Sequence, residues 1–472
     1  MVYQSLTYAR RQKIHATIAE WIIGQSGDLL PTRFPVLAYH FSQTDLHQDG
    51  LKYALAAAED AEVQHNHRGA AEFYKQAAHH LEGLGAEAEW ETAVFICIAR
   101  AKTLLRLGQF TQAGLLATEA MKLCLDHDEM DQTFGIYNLM AEIRLRQARY
   151  ADVPMLTSKI VNSLLAYTPP PELAQAYLLW GQSLAALANW QSAADKLERA
   201  EEICRAAGDM VGLARVLGTL GQVRSHQRPD ETAVKLIEEA LLLLENEPIP
   251  ELLGETQLAL SQVQFRLGQA KLALAAGETA VASLRSVGAN GLAHGLTHRA
   301  AVAIYLGQFK AAVADLKMAS RLFEGMDDVP GKLKLYLLWG VEYNGGLGDW
   351  RQARRRLVRV GQLLIEQPKD EGMVVQEGVR LWLGLGNIAL HTGRLPQAES
   401  LLQKVLTAVA SPGLVWWRPA AFYAWGMLLL ARAGDYERET APTSSRGQAV
   451  AEAHQYFQKG FQAVEVGGCP DE

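Results

Sequence analysis

A tight turn signal recurs nine times along this chain at an almost fixed interval. It falls at Gly108, Ala148, Ala188, Arg228 and Gly268, forty residues apart each time, and then at Gly307, Gly348, Gly393 and Gly434. Each signal stands between two segments of helical apolar periodicity, so the unit is a helical hairpin. A hairpin of this size cannot bury its apolar face alone. It must stack on its neighbours, and the chain must build a one-dimensional array instead of a single globular core.

Positions inside the unit explain how the stack closes. Two residues after the turn stand Phe110, Tyr150, Trp190, Phe309, Trp350, Leu395 and Tyr436, bulky enough to plug the corner between antiparallel helices; Asp230 and Ala270 depart from that rule. Five residues after the turn come Ala113, Val153, Ala193, Ala233, Ala273, Ala312, Ala353 and Ala398, and seven further on Ala120, Ala200, Ala240, Ala280 and Ala319. Seven residues are two helical turns, so these small side chains share one stripe. The first helix carries a matching series at Ala101, Ala141, Gly181, Gly221, Ser261 and Ala300, where bulk is again excluded. The expected fold is all-α, a right-handed superhelical solenoid of about ten antiparallel helical hairpins.

Small, small, aromatic and small residues on this spacing resemble the tetratricopeptide repeat, most closely in Trp180-Gly181 with Leu187, Trp190, Ala193 and Ala200. The period of about forty exceeds the thirty-four of that repeat, and the proline that ends its second helix is largely missing. Helices of about 17 residues would run about 25 Å each. This is similar to the long repeats in the sensor regions of bacterial regulators like the maltose-operon activator.

Residues 1–85 fit the lattice poorly and read as a helical cap with a first atypical repeat. The string Tyr3-Gln4-Ser5-Leu6, then Ala9-Arg10-Arg11-Gln12-Lys13-Ile14-His15, then Leu37-Ala38-Tyr39-His40-Phe41 resembles the join between ATPase and repeats in bacterial signal-transduction ATPases, some of them associated with nucleotidyl cyclases. That resemblance implies a repeat arm separated from its engine, because no Gly-x-x-x-x-Gly-Lys-Ser/Thr string is present to cradle a nucleoside triphosphate. Residues 86–436 read as the regular array, 437–447 as a polar loop, and 448–472 as a terminal helix and tail. Pro169-Pro170-Pro171, Pro248, Pro250, Pro330, Pro368 and Pro412 fall between units, where helices must stop.

Composition narrows the function. A net charge of -7 and a pI near 6.0 argue against a general nucleic-acid binder. Cys97, Cys124, Cys204 and Cys469 show no paired spacing, so neither a disulfide framework nor a zinc module is expected. With no apolar run of membrane length and no signal-like start, a cytoplasmic protein is expected. His294 and His298 are four apart but lack a third ligand, and Asn344-Gly345-Gly346-Leu347-Gly348 ends a helix instead of following a strand. Asp327-Asp328 reads as a helix cap between units. No nucleophile, metal or cofactor constellation converges, so no catalysis and no cofactor are expected.

What remains is binding. Six residues before each turn stand Lys102, Glu142, Gln182, Gln222, Gln262, Glu342 and Asn387, with Ala301 and Leu428 as exceptions. In the tetratricopeptide repeat that position faces the concave groove, so the series would form a polar ladder able to read an extended backbone. The same resemblance sets Asn138, Arg215, Glu255 and His294 beside it. The expected partner is a protein or peptide segment, with a small-molecule ligand as the alternative. Solvated helix positions look alike in sequence, and recurrence in register is what favours a groove. Arg351, Arg354, Arg355, Arg356 and Arg359 form a basic cluster on one helix, which reads either as a solvated outer face or as a grip on phosphate or acidic residues.

Overall fold

The computed structural model describes residues 6–85, 89–164, 171–228, 230–246, 249–365, 371–411, 414, 417–438 and 443–467, and every regular element among them is helical. Pro169, Pro170, Pro248, Pro368, Pro412 and Cys469 lie outside the described residues. Two leading helices, α1 (Tyr8–Ser26) and α2 (Phe34–Phe41), precede ten hairpins. These pair α3 (His47–Val63) with α4 (His67–Leu84), α5 (Trp90–Arg106) with α6 (Phe110–Asp126), α7 (Asp131–Arg146) with α8 (Val153–Leu164), and α9 (Pro171–Ala186) with α10 (Trp190–Ala207). Next come α11 (Met210–Gln227) with α12 (Glu231–Asn246), α13 (Pro250–Arg266) with α14 (Ala270–Leu284), and α15 (Ala289–Tyr305) with α16 (Phe309–Glu324). The last three pair α17 (Val329–Leu337) with α18 (Trp350–Ile365), α19 (Glu371–His391) with α20 (Leu395–Ala408), and α21 (Arg418–Arg438) with α22 (Thr443–Gly467).

The turn lattice has a backbone cause. Gly108, Ala148, Ala188, Gly268, Gly307, Gly348 and Gly393 all take left-handed φ values between 59° and 76°. Around Gly108, the Gln109 amide donates to Leu104 O (2.9 Å) and the Gly108 amide to Leu105 O (3.0 Å), and the same crossed pair recurs at the other six turns. This satisfies the last carbonyls of the first helix and reverses the chain. Two expected turns differ. Arg228 is extended, with φ at -144°. Gly434 is no turn at all, since α21 runs through it to Arg438, and α22 starts at Thr443, inside the expected 437–447 loop.

One turn was hidden in the sequence. His65 has φ of 55° and the same crossed bonds, Asn66 N to Ala61 O and His65 N to Glu62 O. Ala58, Ala70 and Ala77 occupy the small positions around it and are fully buried. Its hairpin escaped the pattern because a histidine fills the turn and another, His67, stands where an aromatic plug is expected.

Between Gly307 and Gly348 the interval is 41 residues instead of forty. The surplus residue is absorbed by a π-helical stretch, Leu338–Gly345, that continues α17. The small stripes are in contact throughout: a Cβ on Gly221 would lie 2.6 Å from Ile237 Cγ1 and 2.8 Å from Ala233 O.

Each first helix from α5 onward also packs on the first helix of the next unit, up to α21. First helices therefore form the inner, concave layer of an all-α superhelical solenoid, and second helices the outer layer. The coil is tight enough to meet itself. Asp327, between α16 and α17, accepts the amides of Phe110 (2.6 Å) and Thr111 (2.7 Å) and donates its own amide to Gly108 O (2.9 Å). Met326 packs under Gly108, where a Cβ would lie 2.7 Å from its Cγ.

Candidate binding surface on the inner wall

On α5 the residues Glu91, Phe95, Ile98, Lys102 and Arg106 recur every three or four positions, so they share one face. That face opens into a depression of about 530 Å³, completed by Glu59 and Glu62 of α3, Tyr74 of α4 and Gln132 of α7. Its floor is apolar, with Tyr74, Val94, Phe95 and Ile98. Phe95 is 47% exposed, although it lies on a concave wall. Glu62 is fixed by Thr103, whose hydroxyl donates to it at 3.0 Å. Burial, together with Glu62 and Glu59, pushes the Tyr74 hydroxyl well above its ordinary range, so it stays protonated. Three carboxylates and two cations thus rim a patch of exposed aromatic and aliphatic surface.

Beyond this depression, ion pairs cross the interior. Arg106 reaches Glu251 of α13 (3.2 Å), and Arg146 of α7 stands 3.8 Å from Glu255 and 3.9 Å from Glu142. Crowding by the surrounding walls raises the Glu255 carboxyl above its usual range; Arg146 and Arg215 oppose this, while Glu251 and Glu142 add to it. The same crowding works against the Arg146 charge, but Glu255, Glu142, Asp328 and Glu251 outweigh it and raise the guanidinium pKa. The Arg146 and Glu255 side chains nonetheless remain 38% and 41% exposed, so water reaches this interior.

The sequence-derived positions do not share one environment. Lys102 lies in the depression, Glu142 and Glu255 flank Arg146, and Arg215 acts on the Glu255 charge. Gln222 donates to Gln262 at 2.7 Å, so these two rungs of adjacent units touch, whereas Gln182 donates to Thr219 of the next unit at 3.4 Å. Glu342 is exposed on the π-helical stretch, and Asn387 is half-buried on α19. Asn138 is a correction: it is buried, and its amide donates to Glu172 O at 2.8 Å, which ties α7 to α9 instead of facing a ligand.

His294 is engaged by Asp328, at 2.7 Å. Asp328 also accepts from Asn290 (2.9 Å) and from Gly331 N (2.8 Å), and so caps α17. Burial works against the Asp328 charge, but His294 and these donors hold the carboxyl well below its usual range. His298 meets Ser261 Oγ at 3.0 Å. Among the described residues, no group of three or more His, Cys, Asp or Glu stands where it could hold a metal ion, and no helix is long and apolar enough to cross a membrane.

Phe95, Arg106, Arg146 and Glu251 belong to this wall without standing in the polar ladder. Arg106 and Arg146 stand four residues after ladder positions, one helical turn along the same face, and that periodicity was the available signal.

No family model and no curated protein matches this chain. Among solved structures, it is similar to a Rap protein complexed with competence and sporulation factor, at 14% identity and a TM-score of 0.48, over 79% of this chain and 98% of that one. It is similar also to aspartyl phosphate phosphatase F from Bacillus subtilis, at 14% identity and a TM-score of 0.45, over 80% and 96% of the two chains. A third likeness is to BtubC from P. vanneervenii, at 18% identity and a TM-score of 0.40, over 48% and 90%.

Proposed function

We propose that this chain is a non-catalytic scaffold that holds a segment of a partner protein against its inner wall, with the depression on α3, α4, α5 and α7 as the anchoring point. The observation that carries this reading is Phe95, an aromatic ring left open to solvent on a concave surface. Binding surfaces place such rings at their centre, with a polar rim that excludes water once the partner is seated. The matching segment presents an apolar side chain to Phe95 and Ile98, with a basic residue beside it for Glu59, Glu62 and Glu91. The ladder Lys102, Glu142, Gln182, Gln222, Gln262, Glu342 and Asn387 would extend the contact along the wall, where the partner must replace the bond between Gln222 and Gln262.

Selecting peptides from a displayed random library on the full chain tests this. Enriched peptides should pair an apolar with a basic residue, and their binding should weaken about tenfold with Phe95→Ala, the expected cost of removing a buried aromatic anchor. Peptides that bind Phe95→Ala and Lys102→Glu as well as the parent chain would contradict it.

A volume of about 530 Å³ also falls in the range of small-molecule sites, which supports the alternative of a metabolite sensor. Thermal-shift screening separates the two, since saturable stabilisation by a sugar or metabolite and none by the selected peptides favours the sensor. On either reading, the resemblance of the N-terminal residues to the ATPase-to-repeat join would make this the sensing arm of a larger switch. An in-frame ATPase upstream would support that, and its absence would favour a free-standing adaptor.

A further inference from the structure

The arginine run on α18 divides between two faces. Ala353, Leu357 and Val360 are fully buried, and Arg356 lies beside them with its guanidinium 3.7 Å from the centre of the Trp339 ring. Arg351, Arg354, Arg355 and Val358 take the opposite face, at the spacing of one helical stripe. Together with Arg394, at the start of α20, they line a depression of about 690 Å³ on the outer layer.

Among the described residues, no carboxylate pairs with Arg351, Arg354, Arg355 or Arg394, whereas Arg299, Arg380 and Arg432 each hold one. Asp349, nearest in sequence, spends its carboxylate on the Gln352 amide. Arg351 and Arg355 are four residues apart, a like-charge arrangement that weakens a helix instead of supporting it. Arg394 donates to the Thr392 hydroxyl at 3.1 Å, which leaves its charge uncompensated. In a chain of net charge -7, four guanidiniums without a carboxylate partner among the described residues form a local field around one hollow, opposite to the rest of the molecule.

We propose that Arg351, Arg354, Arg355 and Arg394 form a docking surface for an acidic segment of a partner protein. Guanidinium forks take carboxylates in paired hydrogen bonds. Val358, 49% exposed, and Trp350, stacked on His391 at 4.4 Å, add an apolar edge that suits a hydrophobic side chain between the acids. A nucleic acid is the poorer fit, because its phosphates would run on past one helix onto an acidic body. This surface lies on the outer layer and does not depend on the inner-wall reading.

Fluorescence anisotropy on the full chain tests the proposal with three probes: a labelled glutamate-rich peptide bearing one leucine, its glutamine counterpart, and a single-stranded oligonucleotide. The glutamate peptide should bind and the glutamine one should not. Arg351→Glu combined with Arg355→Glu should weaken binding at least about tenfold, while Arg359→Glu, outside the hollow, changes it little. Should the double reversal lose its helical circular dichroism, Arg351→Gln with Arg355→Gln serves instead. Unchanged affinity in the folded variant overturns the proposal, as does an oligonucleotide that binds the same arginines more tightly than the peptide.

Discussion

Asp327 caps a helix that begins 217 residues earlier in the chain, its two carboxylate oxygens accepting the amides of Phe110 and Thr111. Gln109, the residue before that helix, makes no side-chain capping bond of its own. A carboxylate at a helix start satisfies free amides and sits at the positive end of the helix dipole, together worth about 1 to 2 kcal/mol. Burial of Met326 beneath Gly108 adds about 1.5 to 3 kcal/mol of apolar contact. The crossing pairs Arg106–Glu251 and Arg146–Glu255 are each more than a third exposed and contribute about 1 kcal/mol or less. Met326 and Asp327 therefore contribute more to closing the coil than these ion pairs do, beside the packing of His67 and Arg106 near Gly288.

Asp327→Ala should loosen the start of α6 specifically. Hydrogen exchange at Phe110 and Thr111 should accelerate about tenfold, the equivalent of about 1.4 kcal/mol, while the interiors of other hairpins keep their protection. Unchanged exchange at those two amides would show that the cap does no work.

Alanine occupies the left-handed turn position at residues 148 and 188, with φ of 60° and 59°. A side chain in that conformation costs about 1 to 2 kcal/mol, part of which glycine gives back through the greater freedom of the unfolded chain. Ala188→Gly should stabilise by roughly 0.5 to 1 kcal/mol in thermal melts, and Ala148→Gly by less, because the Ala148 methyl is buried and its loss offsets the relief. Arg228→Gly should not, because Arg228 is extended.

Gly221→Ala places a methyl group against Ile237 and the Ala233 carbonyl. Backbone on one side and a fully buried isoleucine on the other leave little room to yield, so a loss of about 1 to 3 kcal/mol is expected. A melt equal to that of the parent chain would mean the two helices separate more easily than the packing implies.

Burial lowers His80, His226 and His298 to about 4, with His47 and His79 adding to the effect at His80, and Arg266 at His226 and His298. The unfolded chain binds these protons near pH 6.5 and the folded chain only near pH 4, so stability is full above pH 6.5 and falls as pH drops through that window. The His80 ring is fully buried against Gly50. His80→Phe keeps a ring there without a titrating group and should flatten the decline in melting temperature between pH 6.5 and pH 4. An unchanged slope would remove His80 from the account.

The hairpin lattice was legible because it rests on local signals: a left-handed turn residue, small side chains two turns apart, an aromatic corner. His65 broke the local rule and was passed over, and Gly434 obeyed it yet sits in a continuous helix, since a glycine permits a turn without requiring one. Positions on the inner wall were partly legible, as with Lys102, Glu142 and Glu255, because the face of a helix follows from its period. Asn138 misled because it stands one turn before Glu142 yet is covered by the next hairpin. That Asp327 caps a helix was legible, but which helix was not: Phe110 and Thr111 lie 217 and 216 residues away, and only the pitch of the coil brings them together.

Closure of the coil at Asp327 is tested most directly by the distance between spin labels on Gln112 and Glu324, two exposed residues flanking the junction. Cys97, Cys124 and Cys204 are buried free thiols, so introduced cysteines can be labelled selectively once Cys469 is replaced by serine. A single short, narrow distance is expected in the chain carrying Asp327, with a longer component appearing in Asp327→Ala. A long or broad distribution in the chain that retains Asp327 would contradict the closed coil.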